Sequence, residues 1–379
     1  MSPALKSDPF VKLGRFNADS ARTLMALLSR LLATNSRVVV NALTITAVAG
    51  SSVFLVSCSP SAVNSPDQSG ESKQLLLVSY AVTKNAYDEI IPKFTEEWQK
   101  KTGERLTITA SYGGSGTQTR AVIDGLEADV VGLAMEADTL KLEEAGLIKP
   151  GWQKRLPNNS VPTNSTVSVF VRPGNPKKIT GWDDLARPDV EVVAANPKTS
   201  GGARWNFIAL WGSITENGGS ESKAKDFIAS VYKNAEVLPK DAREATDMFV
   251  TRGQGDVLLN WETEGILAKN KGEWSEPILL FGPNILTEMP VAVVDRNVDK
   301  KGTRNAAEAF AEFLFTPFAQ QVFAANGFRP VTEEGKKFAA GKFQDVKFFT
   351  IGDFGGWPEA TKRFFADGGI WDQIFSQTR

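Results

Sequence analysis

Histidine is absent from the 379-residue sequence, and Cys58 is its only cysteine. These absences exclude catalysis by Ser-His-Asp or Cys-His groups, metal sites built on histidine or on several cysteines, and internal disulfides. Any metal would need ligands that are all oxygen. The formal net charge of −1 offers no basic field to a nucleic acid. We therefore expect a protein that uses no cofactor, metal or nucleic-acid partner and holds its ligand by local geometry.

Charge is also missing from residues 38–57, which follow Arg22, Arg30 and Arg37 and end at Cys58. Basic residues before a long uncharged run are typical of a secretory signal. A single transmembrane anchor is the alternative, because the run is nearly long enough to span a bilayer. No basic cluster follows the run, which favours the signal and predicts an exported, periplasmic protein.

The end of this run, LVSC at residues 55–58, resembles a bacterial lipobox, in which the cysteine is lipidated and becomes the first residue. We predict a signal over residues 1–58 that ends either in lipidation of Cys58, which would anchor the protein to the membrane, or in ordinary cleavage. Met25 is an alternative start. Residues 59–73 are rich in Ser, Pro, Gly and Asp, which predicts a flexible tether.

From residue 74 onward, short apolar runs alternate with segments of helical periodicity, as in an α/β protein. Continuous apolar runs are typical of strands buried on both faces of a parallel sheet. The predicted strands are residues 75–80, 106–110, 129–134, 167–171, 190–195, 256–261, 278–281 and 291–295. The predicted helices are residues 86–101, which Gly103 would cap, and then 117–126, 138–145, 203–214, 243–252, 306–315 and 317–325.

Two series of such units predict two lobes, each an open α/β sheet flanked by helices, with a cleft between them. We place the first part of lobe 1 at residues 74–168, lobe 2 at 169–289, and a return to lobe 1 with C-terminal helices at 290–379. Ligands of open α/β sheets bind beyond the carboxyl ends of the strands, on loops that begin helices. Four positions of this kind form the candidate site.

The first position is the Gly-rich turn 112–118 (YGGSGTQ), where Ser115 or Thr117 can cap a helix with outward-pointing amides. The turn lacks the Gly-Lys-Ser/Thr of a P-loop. It also lacks the second glycine of a nucleophile elbow, because Thr117 stands two residues after Ser115. A turn of this composition is by itself more often only a turn.

The second position is the loop 196–204 (NPKTSGGAR). Ser200 is a candidate N-cap, and Gly201 and Gly202 leave the first amides of the next helix uncovered by side chains. That helix, predicted over 203–214, is apolar on several sides and should therefore be buried. A buried helix with a bare start favours an anion as its ligand.

The third position is residues 238–243 (LPKDAR), where Asp241 is a candidate N-cap, and the fourth is Trp261 at the end of a predicted strand. An indole N–H donates and has no acceptor capacity, although most tryptophans are core residues. Apart from Asp241, these positions offer only donors. Such a cavity favours a fully deprotonated dianion such as sulfate over hydrogenphosphate, whose proton needs an acceptor.

The loop at 196–204 resembles the signature of the periplasmic sulfate-binding proteins, the solute receptors of ABC sulfate/thiosulfate importers. The resemblance extends over nearly all of the chain from Gln74 onward. Further matching segments are VSY at 78–80, GGSG at 113–116, LEAD at 126–129, RLP at 155–157, GDVL at 255–258 and FGGW at 354–357.

The resemblance implies a type II periplasmic binding protein, a Venus flytrap that closes over a dehydrated sulfate. It implies backbone donors at Ala81 and Ser115 in one lobe. From the other lobe it implies the Ser200 hydroxyl, the N–H groups of Gly201, Gly202 and Ala242, and the indole N–H of Trp261.

Two segments depart from the family pattern. Asp-Pro usually follows VSY, where this chain has Ala81-Val82, and Gln-Ser-His usually precedes GGSG, where residues 110–112 are Ala-Ser-Tyr. A backbone contact at Ala81 survives the first change, but any ordering of the loop by the aspartate is lost. We expect altered hydrogen bonding behind the site and the same class of ligand.

We therefore expect an exported, monomeric receptor that binds sulfate, or thiosulfate, and delivers it to the permease subunits of an ABC transporter without catalysing a reaction. Removal of residues 1–57, which hold six basic and two acidic residues, leaves a net charge of −5, so bulk attraction does not explain anion binding. A receptor of the same fold for molybdate, tungstate or phosphate is the alternative. A carboxylate-dependent hydrolase is less favoured, because no paired acids stand out in these loops.

Overall fold

Two β-sheets organise the chain in the computed structural model, which describes residues 72–378. The predicted signal and Cys58 lie outside the described residues, as does nearly all of the tether. The strands are β1 (Lys73–Tyr80), β2 (Leu106–Gly113), β3 (Val130–Gly132), β4 (Thr163–Val171), β5 (Val192–Ala194), β6 (Val257–Trp261), β7 (Ile278–Leu279), β8 (Asn284–Met289), β9 (Val291–Val293), β10 (Arg329–Pro330) and β11 (Phe348–Phe349).

Helices flank both sheets, and within the described residues none is long and apolar enough to cross a membrane. The α-helices are α1 (Lys84–Thr102), α2 (Ser115–Ile123), α3 (Glu136–Glu144), α4 (Pro157–Ser160), α5 (Gly201–Thr215), α6 (Glu221–Lys233), α7 (Ala242–Thr246), α8 (Glu262–Asn270), α9 (Asp295–Lys301), α10 (Arg304–Phe313), α11 (Pro317–Ala325), α12 (Glu333–Phe338), α13 (Gly356–Ala360) and α14 (Ile370–Thr378). Single 3₁₀ turns span Ala81–Thr83, Trp152–Lys154, Trp182–Ala186 and Ile351–Phe354, and π-helical turns span Asp247–Thr251 and Thr361–Phe365.

The first lobe contains a four-stranded sheet with the order β2-β1-β3-β9. Strand β1 pairs in parallel with β2 and β3, as the alternating pattern predicts, and β9 closes the edge in the antiparallel direction. Helix α1 buries Ile90 and Phe94 from one face against this lobe, and Gly103 ends it in the left-handed conformation at φ 75°, which confirms the predicted C-cap. The carboxyl ends of β1 and β2 therefore open onto the starts of helical turns.

The second lobe contains a seven-stranded sheet with the path β11-β8-β4-β6-β5, to which β7 and β10 are added at β4. Here the parallel prediction is wrong in part, because β4 pairs antiparallel with β6, β7, β8 and β10. Only the β5–β6 and β8–β11 pairs are parallel. A strand buried on both faces has the same continuous apolar run whichever way its neighbour points, so the sequence pattern does not reveal the direction.

The chain passes between the lobes where β4 begins and where β8 leads through Pro290 into β9. The predicted boundary after residue 168 falls inside β4, since Thr163 already pairs with Met289 of the second sheet. Part of the segment 290–379 also packs with the second lobe. Strands β10 and β11 pair with β4 and β8, and Trp371 of α14 packs edge-on against Tyr232 of α6, with ring centroids 4.7 Å apart.

Helix α5 lies inside the second lobe, and all its residues from Gly201 to Ile214 are buried. The all-round burial follows from its composition, because large apolar side chains occur on every side of the helix. Trp205 packs edge-on against Trp357, and Phe207 packs edge-on against Phe365, with ring centroids 4.6 and 5.3 Å apart. This packing fixes the start of α5 at the boundary with the first lobe.

Candidate functional site

One small cavity between the two lobes is lined by every residue that the resemblance implies as a ligand. The lining includes Ala81, Ser115, Ser200, Gly201, Gly202, Ala242 and Trp261. These residues come from five separate stretches of sequence: the turn after β1, the end of β6, and the starts of α2, α5 and α7. The structure therefore brings together the four positions selected from the sequence, and it adds Ala81, which only the resemblance indicated.

Ser200 is the N-cap of α5, as predicted from the sequence. Its Oγ accepts a hydrogen bond from the backbone N–H of Ala203 at 3.2 Å, and the residue is buried. A hydroxyl that accepts one hydrogen bond still has its own hydrogen to donate. The cap therefore leaves Ser200 able to donate to a ligand in the cavity.

Gly201 and Gly202 form the first turn of α5, and Gly201 is packed too closely to carry a side chain without adjustment. A Cβ on Gly201 would lie 2.7 Å from the Cβ of Ala134 in the first lobe. A Cβ on Gly202 would lie 3.4 Å from Cε2 of Trp261. The first amides of a helix have no partner within the helix, so these two N–H groups are available to a ligand.

Ser115 begins α2, but its hydroxyl is already used within the first lobe. Its Oγ donates to Oδ2 of Asp138 at 2.7 Å and accepts from the N–H of Ala134 at 3.0 Å. Asp138 is fully buried and also receives Nζ of Lys141 at 2.9 Å. The donor that Ser115 offers to the cavity is therefore its backbone N–H, which agrees with the atom implied by the resemblance.

Ala81 starts a single 3₁₀ turn after β1, and side chains that flank it hold this turn in place. Thr83 Oγ1 donates to the carbonyl of Tyr80 at 2.7 Å, and the Ser79 and Thr83 hydroxyl oxygens lie 2.8 Å apart. Ser79 Oγ also donates to the carbonyl of Gly132 at 2.7 Å. These hydroxyls order a loop that lacks the aspartate usual in the family, so the backbone of Ala81 faces the cavity without it.

Ala242 is the first residue of α7, and Asp241 is its N-cap, as predicted. Oδ1 of Asp241 accepts from the N–H of Glu244 at 2.9 Å. The carbonyl of Ala242 accepts from Nδ2 of Asn260 at 2.8 Å, which ties α7 to the end of β6. Asn260 was not predicted from the sequence as a site residue. It directly precedes Trp261, and its Oδ1 accepts from the backbone N–H of Trp261 at 2.8 Å.

Trp261 is buried at the end of β6, and its indole N–H has no hydrogen-bond acceptor among the described residues. The ring packs edge-on against Tyr80 of the first lobe, with centroids 5.3 Å apart. A buried N–H without a partner costs free energy comparable to a lost hydrogen bond. An acceptor bound in the cavity would remove that cost.

No lysine or arginine lines this cavity in the described part of the chain. Arg204, in the loop 196–204, is buried, donates from Nε to the carbonyl of Pro197 at 2.8 Å and lies over the ring of Phe365. Burial lowers the pKa of Arg204, and the charge of Asp138 opposes that shift. Neutral residues thus make up most of the wall, and Asp241 is the one charged residue in it among residues 72–378.

Comparison with known proteins shows the family to which this chain belongs. Residues 75–329 match the family model described as bacterial extracellular solute-binding protein. The sulfate-binding protein of Synechocystis sp. is 52% identical over 328 residues, which cover 85% of this chain and 93% of that protein. The thiosulfate-binding protein of Pseudomonas aeruginosa is 41% identical over 308 residues, 80% of this chain and 93% of that protein.

A solved structure shows the same fold. The sulfate-binding protein SubI from Mycobacterium tuberculosis H37Rv superimposes with a TM-score of 0.70 at 34% sequence identity. The match covers 77% of this chain and 99% of that one. The two-lobed architecture predicted from the sequence is therefore confirmed.

Proposed function

Because the chain belongs to the bacterial extracellular solute-binding proteins, and within them to the sulfate-binding group, we propose that it binds sulfate between its lobes and supplies an ABC importer. One observation carries the proposal. The unpaired indole N–H of Trp261 is buried in a cavity whose other members include the Ser200 hydroxyl and the first amides of α5.

The proposed ligand contacts divide between the lobes. The first lobe supplies the backbone N–H groups of Ala81 and Ser115. The second lobe supplies the Ser200 hydroxyl, the backbone N–H groups of Gly201, Gly202 and Ala242, and the indole N–H of Trp261. Each hydrogen bond to a charged acceptor contributes about 1.5–3 kcal/mol, so several together hold a dianion without an opposite charge.

Selectivity follows from the kind of groups in the wall. Sulfate is fully deprotonated at neutral pH and only accepts hydrogen bonds, which suits a wall of donors. Hydrogenphosphate carries one proton. In a wall of donors this O–H group finds no acceptor and remains repelled or unpaired, at a cost of about 1–3 kcal/mol. Thiosulfate offers the same charge and acceptors, and the similarity to a thiosulfate-binding protein supports it as a second ligand. Molybdate and tungstate are the alternative dianions.

The proposal includes the protein's place in the cell. A receptor that supplies an importer needs export, and the uncharged run before Cys58 supports this step. We propose that the protein works in the periplasm as a monomer without catalytic activity and docks on the permease subunits of the transporter. Lipidation of Cys58 is part of the proposal, and mass spectrometry of the exported protein would detect the acylated cysteine.

Titration of the purified protein with sulfate, thiosulfate, molybdate and phosphate tests the ligand, with tryptophan fluorescence and calorimetry as readouts. We expect tight sulfate binding that changes little between pH 5 and 8, because neither sulfate nor the proposed donors titrate in that interval. Fluorescence should change, because Trp261 lies at the ligand. Tighter binding of phosphate than of sulfate would overturn the proposal.

A further inference from the structure

Asp241 places a carboxylate in the wall of the proposed sulfate cavity. The residue is 6% exposed, and it lines the cavity beside Ala242 and opposite the turn at Gly114. A Cβ on Gly114 would lie 3.6 Å from the Cβ of Asp241, so the two lobes meet at this point. Whatever is held in the closed cavity therefore lies near this acid.

No cation among the described residues forms an ion pair with Asp241, whose carboxylate accepts from the N–H of Glu244. The neighbouring Arg243 is paired with Glu264 at 3.0 Å, and Lys198 is paired with Asp372 at 2.7 Å. These two basic side chains are therefore engaged with other carboxylates.

The charge of Asp241 also acts through the interior of the second lobe. Desolvation by burial raises the pKa of Glu264, and the charge of Asp241 adds to that shift, against the opposing effect of Arg243. Charges in a site closed from water are weakly screened. A dianion in the adjoining cavity is subject to the same repulsion.

We propose that Asp241 is an affinity-setting residue whose carboxylate repels the bound dianion and keeps sulfate affinity below the value that the donors alone would give. This inference rests on the proposed function. Because the carboxylate also caps α7, removing its charge without removing the cap isolates the electrostatic effect. Asparagine does so, since it is of the same size and caps helices as well as aspartate does.

The experiment compares sulfate affinity of the full chain with that of Asp241→Asn by calorimetry, beside thermal melts of both. We expect about 10-fold tighter sulfate binding by the variant, equal to about 1.4 kcal/mol, with an unchanged melting temperature. Asp353→Asn is the matched control. Asp353 is an exposed carboxylate that accepts from the N–H of Thr350 at 2.7 Å and lies outside the cavity lining, so its loss of charge should leave affinity unchanged.

The outcomes separate the two proposals. If the unmodified chain does not bind sulfate, the proposed function fails. If it binds sulfate and Asp241→Asn binds equally or more weakly, the role of Asp241 is overturned, because removing the negative charge then does not raise the affinity. If the asparagine variant does not fold, Asp241→Ser retains a capping oxygen without charge and is held to the same expectation.

Discussion

Gly201 of the second lobe and Ala134 of the first lobe meet so closely that a Cβ on Gly201 would stand 2.7 Å from the Cβ of Ala134. Beside this contact, the carbonyl of Ala134 accepts a hydrogen bond from Nε1 of Trp205 at 2.6 Å. The approach of the two lobes thus depends on the absence of a side chain at the first residue of α5.

Gly201→Ala tests this dependence. Overpacking costs about 1–3 kcal/mol, so we expect sulfate to bind about 5- to 150-fold more weakly in calorimetric titrations. Gly201→Asp adds a carboxylate at the same place and should nearly abolish binding. Gly181→Ala is the control, because a Cβ at Gly181 has no heavy atom within 4 Å. Unchanged affinity in the aspartate variant would mean that the anion binds elsewhere.

Trp261→Phe removes one donor while it keeps an aromatic ring against Tyr80. The loss of a hydrogen bond to a charged ligand should weaken sulfate binding about 10- to 150-fold and remove most of the fluorescence response. Trp182→Phe serves as the matched control, since Nε1 of Trp182 donates to the carbonyl of Pro283 at 3.3 Å, away from the cavity. Equal affinities of the two variants would contradict the assignment of Trp261.

Ser200→Ala removes a helix cap and a ligand donor together. A second serine, Ser220, caps a helix without lining the cavity, so its alanine variant separates the two effects. Ser220 caps α6 through an Oγ that accepts from the N–H of Lys223 at 3.2 Å, and it is exposed. Both alanine variants should lose about 1 kcal/mol of stability in denaturant melts. Only Ser200→Ala should weaken sulfate binding, by about 10-fold. A similar weakening in Ser220→Ala would show that the effect is structural.

The raised pKa of Glu288 predicts that the free energy of unfolding depends on pH. Glu288 and Glu136 line a second cavity, which is separate from the proposed sulfate cavity and includes Pro290. Burial raises the pKa of Glu288, and the charge of Glu136 adds to the rise. A raised pKa means that the folded state binds this proton more tightly than the unfolded state. The stabilisation that Glu288 contributes to the folded state is fully present below the ordinary pKa of glutamate. It is lost as the pH rises through the raised pKa of Glu288.

Glu288→Gln should prevent this loss of stability at high pH, because the amide stays neutral. We expect a higher melting temperature than that of the unmodified chain at pH 7.5, and a difference that shrinks as the pH falls toward 4.5. The exposed Glu334→Gln is the control and should show no such trend. A melting temperature for Glu288→Gln that is lower at pH 7.5 would contradict the prediction.

The sequence indicated most of the second-lobe donors, because their chemistry is local. Ser200, Gly201 and Gly202 form a cap and a bare helix start within one short loop, and the observed α5 begins there. Asp241 is likewise recognisable as an N-cap. Ala81 carries no such local signal, since its backbone N–H is its only donor, and the resemblance alone pointed to it.

Other features depend on contacts between distant segments. The Ser115 hydroxyl donates to Asp138, 23 residues further along, and the prediction that Ser115 or Thr117 caps the helix is wrong. The helix N-cap at that position is Gly114. The direction of the strands around β4 was also not predictable, because it is decided by which neighbours pack beside a run that is apolar on both faces.

The burial of α5 on every side has a thermodynamic consequence for recognition. A helix enclosed in this way has lost its freedom to tilt when the second lobe folds, so its first amides are oriented before any ligand arrives. The conformational entropy of ordering these donors is therefore lost during folding and not during association. Most of the ordering that accompanies sulfate binding is then confined to the approach of the first lobe.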